Sequence, residues 1–345
     1  MACGYTAGQP TYCSWQFIQY RLAKYSGILS KNGILDTTFN AHRDNWNYSE
    51  VNTLSLLNGG KVLLGGRFEL DGKQVPFLCF NANGSLDRSF VAPTGINEPR
   101  SASTAPNGKI FMAGAYRESS SKKQFVIRLN TDGKQDWEMQ VNNELDTAIS
   151  RVTALADGRV LIMGDFVSND IPSRPYIFRL NADLTLDQSF MFGYGLSYNT
   201  NPPTGFSKGI LSATVQKDGK IVVIGDFIGY NNLNSSFTKH DADGVLRLNA
   251  NGTVDESFQS VNGPRGNSRD VVVLEDNRVL VVRYSTLTKD AEPTFMYSTT
   301  GVRDNTFSFT EPSSSIYGIK KLAGKNNYLI WGSFSTRKMI WRVRF

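Results

Sequence analysis

Histidine is almost missing from this chain of 345 residues: there are two, His42 and His240. That excludes a multi-histidine metal centre and leaves little scope for a histidine-dependent catalytic triad. Cysteine is nearly as scarce. Cys3, Cys13 and Cys79 cannot make a disulfide framework and lack the spacing of a zinc ribbon, so free thiols are expected, with one Cys3 to Cys13 bridge as the alternative in an oxidising setting. No stretch approaches about 18 consecutive apolar residues, which argues against membrane insertion. The first 24 residues have neither the basic start nor the apolar core of a signal peptide, so no standard leader is expected. A phosphate-cradling G-x-x-x-x-G-K-[S/T] is absent as well, and no cofactor or metal is expected.

Neither sign of charge dominates. Lys and Arg number 37 against 31 Asp and Glu, a net +6 spread along the chain rather than gathered in a stripe, so no nucleic-acid partner is expected. The densest basic run is Arg337, Lys338, Arg342 and Arg344, joined by Lys320, Lys321 and Lys325. There Arg342 and Arg344 alternate with Trp341, Val343 and Phe345, the pattern of a half-buried strand.

What the chain does have is internal repetition. One pattern is a turn residue, a basic residue, four apolar residues, Gly, any residue and an aromatic. It reads GKVLLGGRF to Phe68, GKIFMAGAY to Tyr116, GRVLIMGDF to Phe166, GKIVVIGDF to Phe227, NRVLVVRY to Tyr284 and NNYLIWGSF to Phe334. The fifth copy is one residue short and aligns Val282 with Gly66, Gly114, Gly164, Gly225 and Gly332. A second pattern, N-x-[N/D]-G-x-h-D-x-[S/T]-F, follows the first five copies, and SKNGILDTTF to Phe39 precedes the first. Its aspartates are Asp36, Asp87, Asp136, Asp187, Asp255 and Asp304, four intervals of about 50 residues and one of 68. The long interval holds insertions near 191–208 and 228–242.

Each period reads as four strand-like pieces. The first alternates partly and ends at a Gly or Asp-Gly turn. The second is a continuous apolar run, as expected where both faces of a strand are covered. The third ends in the N-x-[N/D]-G turn, and the fourth is the short L-D-x-S-F piece. Such units bury only part of their apolar surface alone, so neighbours must stack. The expectation is an all-β fold, a β-propeller of six blades of four antiparallel strands, closed by N- and C-terminal strands. Ile34 to Phe39 is the piece expected to complete the last blade, and a seven-bladed ring using WQFIQYRL is the alternative. Residues 1–24 are expected to be an extension that docks on a partner, and 25–345 the propeller domain.

The repeats resemble the delta-sixty repeat family, carried by Arg179-Leu180-Asn181, Arg247-Leu248-Asn249, Asp218-Gly219-Lys220 and Gly225-Asp226-Phe227, over about residues 25–345. The Gln135-Asp136-Trp137 variant and the STTGVRDNTF copy depart from it. That resemblance implies a propeller with no agreed activity, found in bacterial surface or secreted proteins and in phage structural proteins.

The repeated turn places oxygens at alternate positions, as in Asn181, Asp183, Thr185 and Asp187, like the first half of a calcium loop. Its Gly stands fourth rather than sixth and no closing Glu follows, so a hydrogen-bonded turn is the reading favoured. Individuality is expected in the insertions instead. Phe192, Tyr194, Tyr198 and Phe206 suit a recognition loop for sugar or protein, and His240, Asp241 and Asp243 form a secondary candidate. No catalytic residue stands out. The leading expectation is a non-enzymatic module of a larger assembly, a phage virion or tail protein joined to other subunits or to a host surface. The alternative is a bacterial surface or exported glycan-binding propeller, and the third reading a polysaccharide-acting propeller enzyme.

Overall fold

The computed structural model describes residues 12–14, 28–29, 35–36, 46–91, 93–116, 124–141, 148–165, 176–190, 194–197, 209–227, 229–232, 239–242, 244–260, 268–283, 294–307, 314–321, 327–334 and 337–344. They divide between two compact units, Phe17–Asp187 and Met1–Gln16 with Gln188–Phe345. No helix is long and apolar enough to cross a membrane among the described residues.

In the first unit, three antiparallel meanders follow the repeat. The first sheet is Trp46–Leu56, Val62–Leu70 and Lys73–Phe80. The second is Ile96–Thr104, Ile110–Tyr116, Gln124–Leu129 and Gln135–Val141. The third is Ala148–Ala154, Val160–Asp165 and Ile177–Leu180. The other unit holds a fourth, Ile210–Val215, Ile221–Gly225 and Val245–Leu248, and a fifth, Ser268–Val273, Val279–Arg283 and Thr294–Tyr297. The sixth is Ser314–Lys321, Asn327–Phe334 and Arg337–Arg344.

A fourth strand joins the sixth sheet, but it is Tyr12–Ser14, paired antiparallel with Met339 to Trp341, and not the segment Ile34 to Phe39. Leu35–Asp36 pairs instead with Ile28–Leu29 in a short hairpin. WQFIQYRL lies outside the described residues.

Among the described residues, the piece that follows a third strand is itself a strand only in the second sheet. Elsewhere it is reduced to a single bridge, Phe80 with Leu86, Leu180 with Leu186, Leu248 with Val254 and Tyr297 with Arg303. The reason is local. In those copies Asp turns the chain by capping the Ser or Thr two residues on, as Asp304 Oδ1 does by accepting from Thr306 N–H at 2.9 Å and from its hydroxyl at 2.6 Å. The second copy has Glu138 at that place, no cap forms, and the strand runs on to Val141.

The second strands are buried on both faces, as the apolar runs predict: Ile110, Met112 and Ala113 are fully covered, as are Val222, Val223 and Ile224. Neighbouring sheets within a unit meet through these residues. Leu63, Phe77 and Cys79 of the first sheet pack with Ile110, Met112 and Phe125 of the second. Val222, Ile224 and Val245 of the fourth pack with Val279, Val281 and Phe295 of the fifth. Each fully buried aliphatic side chain contributes about 1.5–3 kcal/mol.

A polar stitch accompanies this packing. A side-chain oxygen on one sheet's first strand accepts from a backbone N–H on the next sheet's first strand: Ala102 to Thr53 Oγ1 at 3.0 Å, Val152 to Ser101 Oγ at 3.1 Å, Ala154 to Ser103 Oγ at 3.0 Å, Ile319 to Asp270 Oδ2 at 3.3 Å. Asp270 Oδ1 also accepts from Ser212 Oγ at 3.0 Å, so one buried carboxylate ties the fourth, fifth and sixth sheets. Truncating it strands donors on two neighbours. Asp270→Ala is expected to lower stability by about 2 kcal/mol in urea denaturation, with Asp270→Asn milder; equal stability would show that the stitch is incidental.

Opposite the Gly of each second strand the first strand carries a bulge, as between Ile149 and Arg151 or Ile210 and Ser212. That register corrects the alignment of the fifth copy. Its bulge lies between Ser268 and Asp270, opposite Arg283 and Val282, so Arg283 rather than Val282 takes the place of the glycine.

Candidate functional site

The recurring turn uses its own oxygens. Thr185 donates to Asp183 Oδ1 through its N–H at 3.0 Å and its hydroxyl at 2.6 Å, and Asn181 N–H donates to Thr185 O at 2.8 Å. Gly84, Gly133, Gly252 and Gly301 hold φ between 83° and 88°, and Leu184 adopts the same conformation at 71°. These are the hydrogen bonds and backbone geometry of the turn reading.

The later aspartate is caught between two cations of its own repeat. Asp255 Oδ2 accepts from Lys220 Nζ at 2.8 Å and Arg247 Nε at 2.7 Å, and Oδ1 accepts from Ser257 N–H at 3.1 Å and its hydroxyl at 2.6 Å. Burial pushes this carboxyl up, but the hydrogen bonds from Lys220, Ser257 and Arg247 outweigh it and hold it far below the usual range. Asp136 is held the same way by Arg128 and Lys109, and Asp187 Oδ2 accepts from Arg179 Nε at 2.7 Å. In the first copy Cys79 stands at the arginine position, and burial raises its thiol to about 11. No group of three or more His, Cys, Asp or Glu gathers to hold a metal among the described residues.

The insertions behave differently from the repeat. Tyr194–Ser197 from the first and Gly229–Asn232 and Lys239–Asp241 from the second form a separate three-stranded antiparallel sheet. Its register places Tyr194 opposite Asn232, and Leu196 opposite Tyr230, which is itself opposite His240, so these five share one face. Gly195, Asn231 and Lys239 align on the other face, with Ser197, Gly229 and Asp241. Tyr230 is buried.

Two candidates suggested by separate stretches of sequence are thereby brought into one element. Tyr194 and His240 lie on the same face, and Asp241 on the opposite one. Phe192, Tyr198, Phe206 and Asp243 lie outside the described residues, as do Cys3 and His42. Sequence reasoning passed over Tyr230, Asn231 and Asn232, although they sit in the second insertion; alternating Gly-Tyr-Asn-Asn carries no strand signal without its partners.

Four stretches, 60–90, 105–136, 155–190 and 216–258, match the family model described as a domain of unknown function (DUF5122) beta-propeller. Those four stretches therefore support a β-propeller repeat family. No curated protein matches it. Among solved structures it is similar to a streptogramin B lyase, at 11% identity over 92% of this chain and 85% of that one, with a TM-score of 0.54. It is similar also to the GH74 xyloglucanase of Xanthomonas campestris, at 9% identity over 87% of this chain and 45% of that one, with a TM-score of 0.54. A gluconolactonase of the same organism matches at 10% identity over 85% of each chain, with a TM-score of 0.46.

At such identities the likeness extends to the fold alone. It nonetheless corrects the expectation of a non-enzymatic virion or tail component, and of a chain that is not an enzyme, because the solved structures that share this fold include a lyase and a xyloglucanase. The physical reason for the error is plain. A propeller gathers a site from several blades, so residues that act together stand tens of positions apart and leave no compact motif. A lack of local catalytic spacing is then no argument against catalysis.

Proposed function

We propose that this chain is a polysaccharide-directed propeller, acting at a bacterial surface or after export, that takes its ligand on the enlarged fourth repeat. We read its units as delta-sixty repeats arranged as six blades in a closed ring. The observation that carries the ligand reading is the convergence of two insertions, 191–208 and 228–242, on one extra sheet. Repeat packing requires neither insertion, since the other sheets stack without them. The strands that form the extra sheet contain tyrosine, asparagine, histidine, lysine and aspartate within a short span of backbone, residue types suited to hydrogen bonding with sugar hydroxyls and to ring stacking. The xyloglucanase named above supports the reading to the extent that its name places polysaccharide chemistry on this fold.

Affinity electrophoresis through gels cast with neutral and acidic polysaccharides tests it. The wild-type chain should be retarded by at least one, and replacing residues 228–242 with Asn-Gly should remove at least 90% of the retardation while circular dichroism and melting temperature stay close to wild type. Release of reducing ends from the retained polysaccharide separates a hydrolase from a binding module. A folded wild-type chain that migrates freely through every gel sinks the reading.

A further inference from the structure

Four Asn-Gly pairs stand in the described turns, and three of them share one set of surroundings. In Asn83-Gly84, Asn107-Gly108 and Asn251-Gly252 the asparagine Oδ1 accepts from the residue two positions on. The donors are Ser85 N–H at 3.0 Å and its hydroxyl at 2.8 Å, Lys109 N–H at 3.1 Å, and Thr253 N–H at 3.2 Å and its hydroxyl at 2.8 Å. The glycine N–H donates back across the turn, Gly84 to Asn81 O at 2.8 Å, and Gly108 to Ala105 O and Gly252 to Asn249 O at 2.9 Å. All three glycines are buried.

Asn58-Gly59 is built otherwise. The first repeat reads Leu57-Asn58-Gly59-Gly60-Lys61 where the second reads Ala105-Pro106-Asn107-Gly108-Lys109. Leu57 N–H donates to Lys61 O at 2.8 Å, as Ala105 N–H does to Lys109 O, and the two turns align on that bond. The asparagine of the first therefore stands one place earlier, outside the hydrogen-bonded ring. Asn58 and Gly59 are both exposed, and neither the Asn58 amide nor the Gly59 N–H has a hydrogen bond among the described residues. Gly59 and Gly60 hold φ of 73° and 75°, the left-handed region that glycine enters freely. A Cβ on Gly59 would meet nothing within 4 Å, so the space beside this bond is open. Asn58 Nδ2 lies against the next turn, 3.0 Å from where a Cβ on Gly108 would stand.

We infer that Asn58 is a modification site of this chain, converting through a succinimide to aspartate and isoaspartate, and that the repeat turn protects Asn83, Asn107 and Asn251 from the same change. The Gly59 backbone nitrogen attacks Asn58 Cγ as its proton passes to water. The Cγ–Nδ2 bond then breaks, and ammonia leaves with a proton. Water opens the five-membered ring at either carbonyl, so the sum is amide and water going to carboxylic acid and ammonia. At the other three pairs the amide must first leave its donors and the glycine N–H its carbonyl, a loss of two or three hydrogen bonds at a buried glycine. The product sets a carboxylate against the Gly108 turn. Its isoaspartyl form also adds a methylene to the backbone between the first two strands of the first sheet. The inference is independent of the polysaccharide reading.

The test incubates the full chain in mildly alkaline buffer and follows each Asn-Gly pair by peptide mapping with tandem mass spectrometry. Enzymatic carboxyl methylation of the separated peptides reads their isoaspartate. In the folded chain Asn58 should convert about tenfold or more faster than Asn83, Asn107 and Asn251, the effect of hydrogen bonds that only those three must break. In urea the four rates should converge to within about threefold, the spread that residual structure in an unfolded chain can leave. Asn32-Gly33 and Asn262-Gly263 lie outside the described residues and are mapped separately. Asn58→Gln should keep the fold and remove the early isoaspartyl signal of its peptide. Equal rates for Asn58 and Asn107 in the folded chain overturn the site. A tenfold ratio that survives in urea overturns the turn as its cause.

Discussion

Arg247→Ala is expected to lose about 3 kcal/mol in chemical denaturation, the cost of taking from a buried carboxylate the buried one of its two cationic partners. The side chains of Arg247 and Asp255 are 7% and 8% exposed, 2.7 Å apart. Arg247 also donates to Thr299 O at 2.6 Å and to Ser257 Oγ at 3.2 Å, and lies over the Phe258 ring at 4.7 Å. Its removal therefore breaks the turn of one repeat and its tie to the next. Arg67, 48% exposed in its pair with Glu98, is the control: Arg67→Ala should change stability by about 1 kcal/mol or less. The sign of the pH dependence follows from the depressed Asp255 carboxyl. Its stabilisation is complete above the unfolded value of about 3.9 and is lost as pH falls through the lower folded value. Acid unfolding of Arg247→Ala should accordingly begin at higher pH than that of wild type. Equal denaturation midpoints for Arg247→Ala and Arg67→Ala would refute the argument.

That ion pair was within reach of the sequence, since Arg179, Arg247, Asp187 and Asp255 recur in register and a residue repeated in each unit serves something each unit needs. The second strands were equally legible, because four successive apolar residues between a turn and a glycine admit few other readings. The stitch between first strands was not. Thr53, Ser101, Ser103 and Asp270 look like the solvent side of an alternating strand, and only the approach of the next strand gives their oxygens a buried donor. Tyr12–Ser14 was hidden for a related reason: three residues carry no periodicity, and their place depends on an edge more than 300 residues away.

Misreading Val282 for Arg283 has a further cause. The aromatic at the end of the pattern anchors the alignment by eye, whereas the physical anchor is the bulge in the partner strand, which the sequence does not display. The functional error is of the same type. Tyr194 and His240 are 46 positions apart in sequence and share one face of a three-stranded sheet, a relation set by register alone.

The bulge also sets the other large effect. Gly225→Ala should cost about 3 kcal/mol or more, or prevent the fourth and fifth sheets from packing, because its Cβ would lie 2.1 Å from Gly209 O and 3.0 Å from Phe227 Cδ1. A carbonyl oxygen is part of the backbone and cannot swing aside as a side chain does, so the bulge itself would have to move. Conformational freedom is not the issue at this glycine, since its φ is not in the left-handed region. Gly72 supplies the contrast, with φ at +76° and nothing within 4 Å of its Cβ, so Gly72→Ala should cost only about 1 kcal/mol from backbone strain. Thermal melts of the two variants separate close approach from backbone conformation. A Gly225→Ala protein that melts with or above Gly72→Ala would mean that the bulge yields at little cost. The glycine found at this place in the other sheets would then have to be explained by something other than steric closure, and Arg283 in the fifth would lose its standing as an exception.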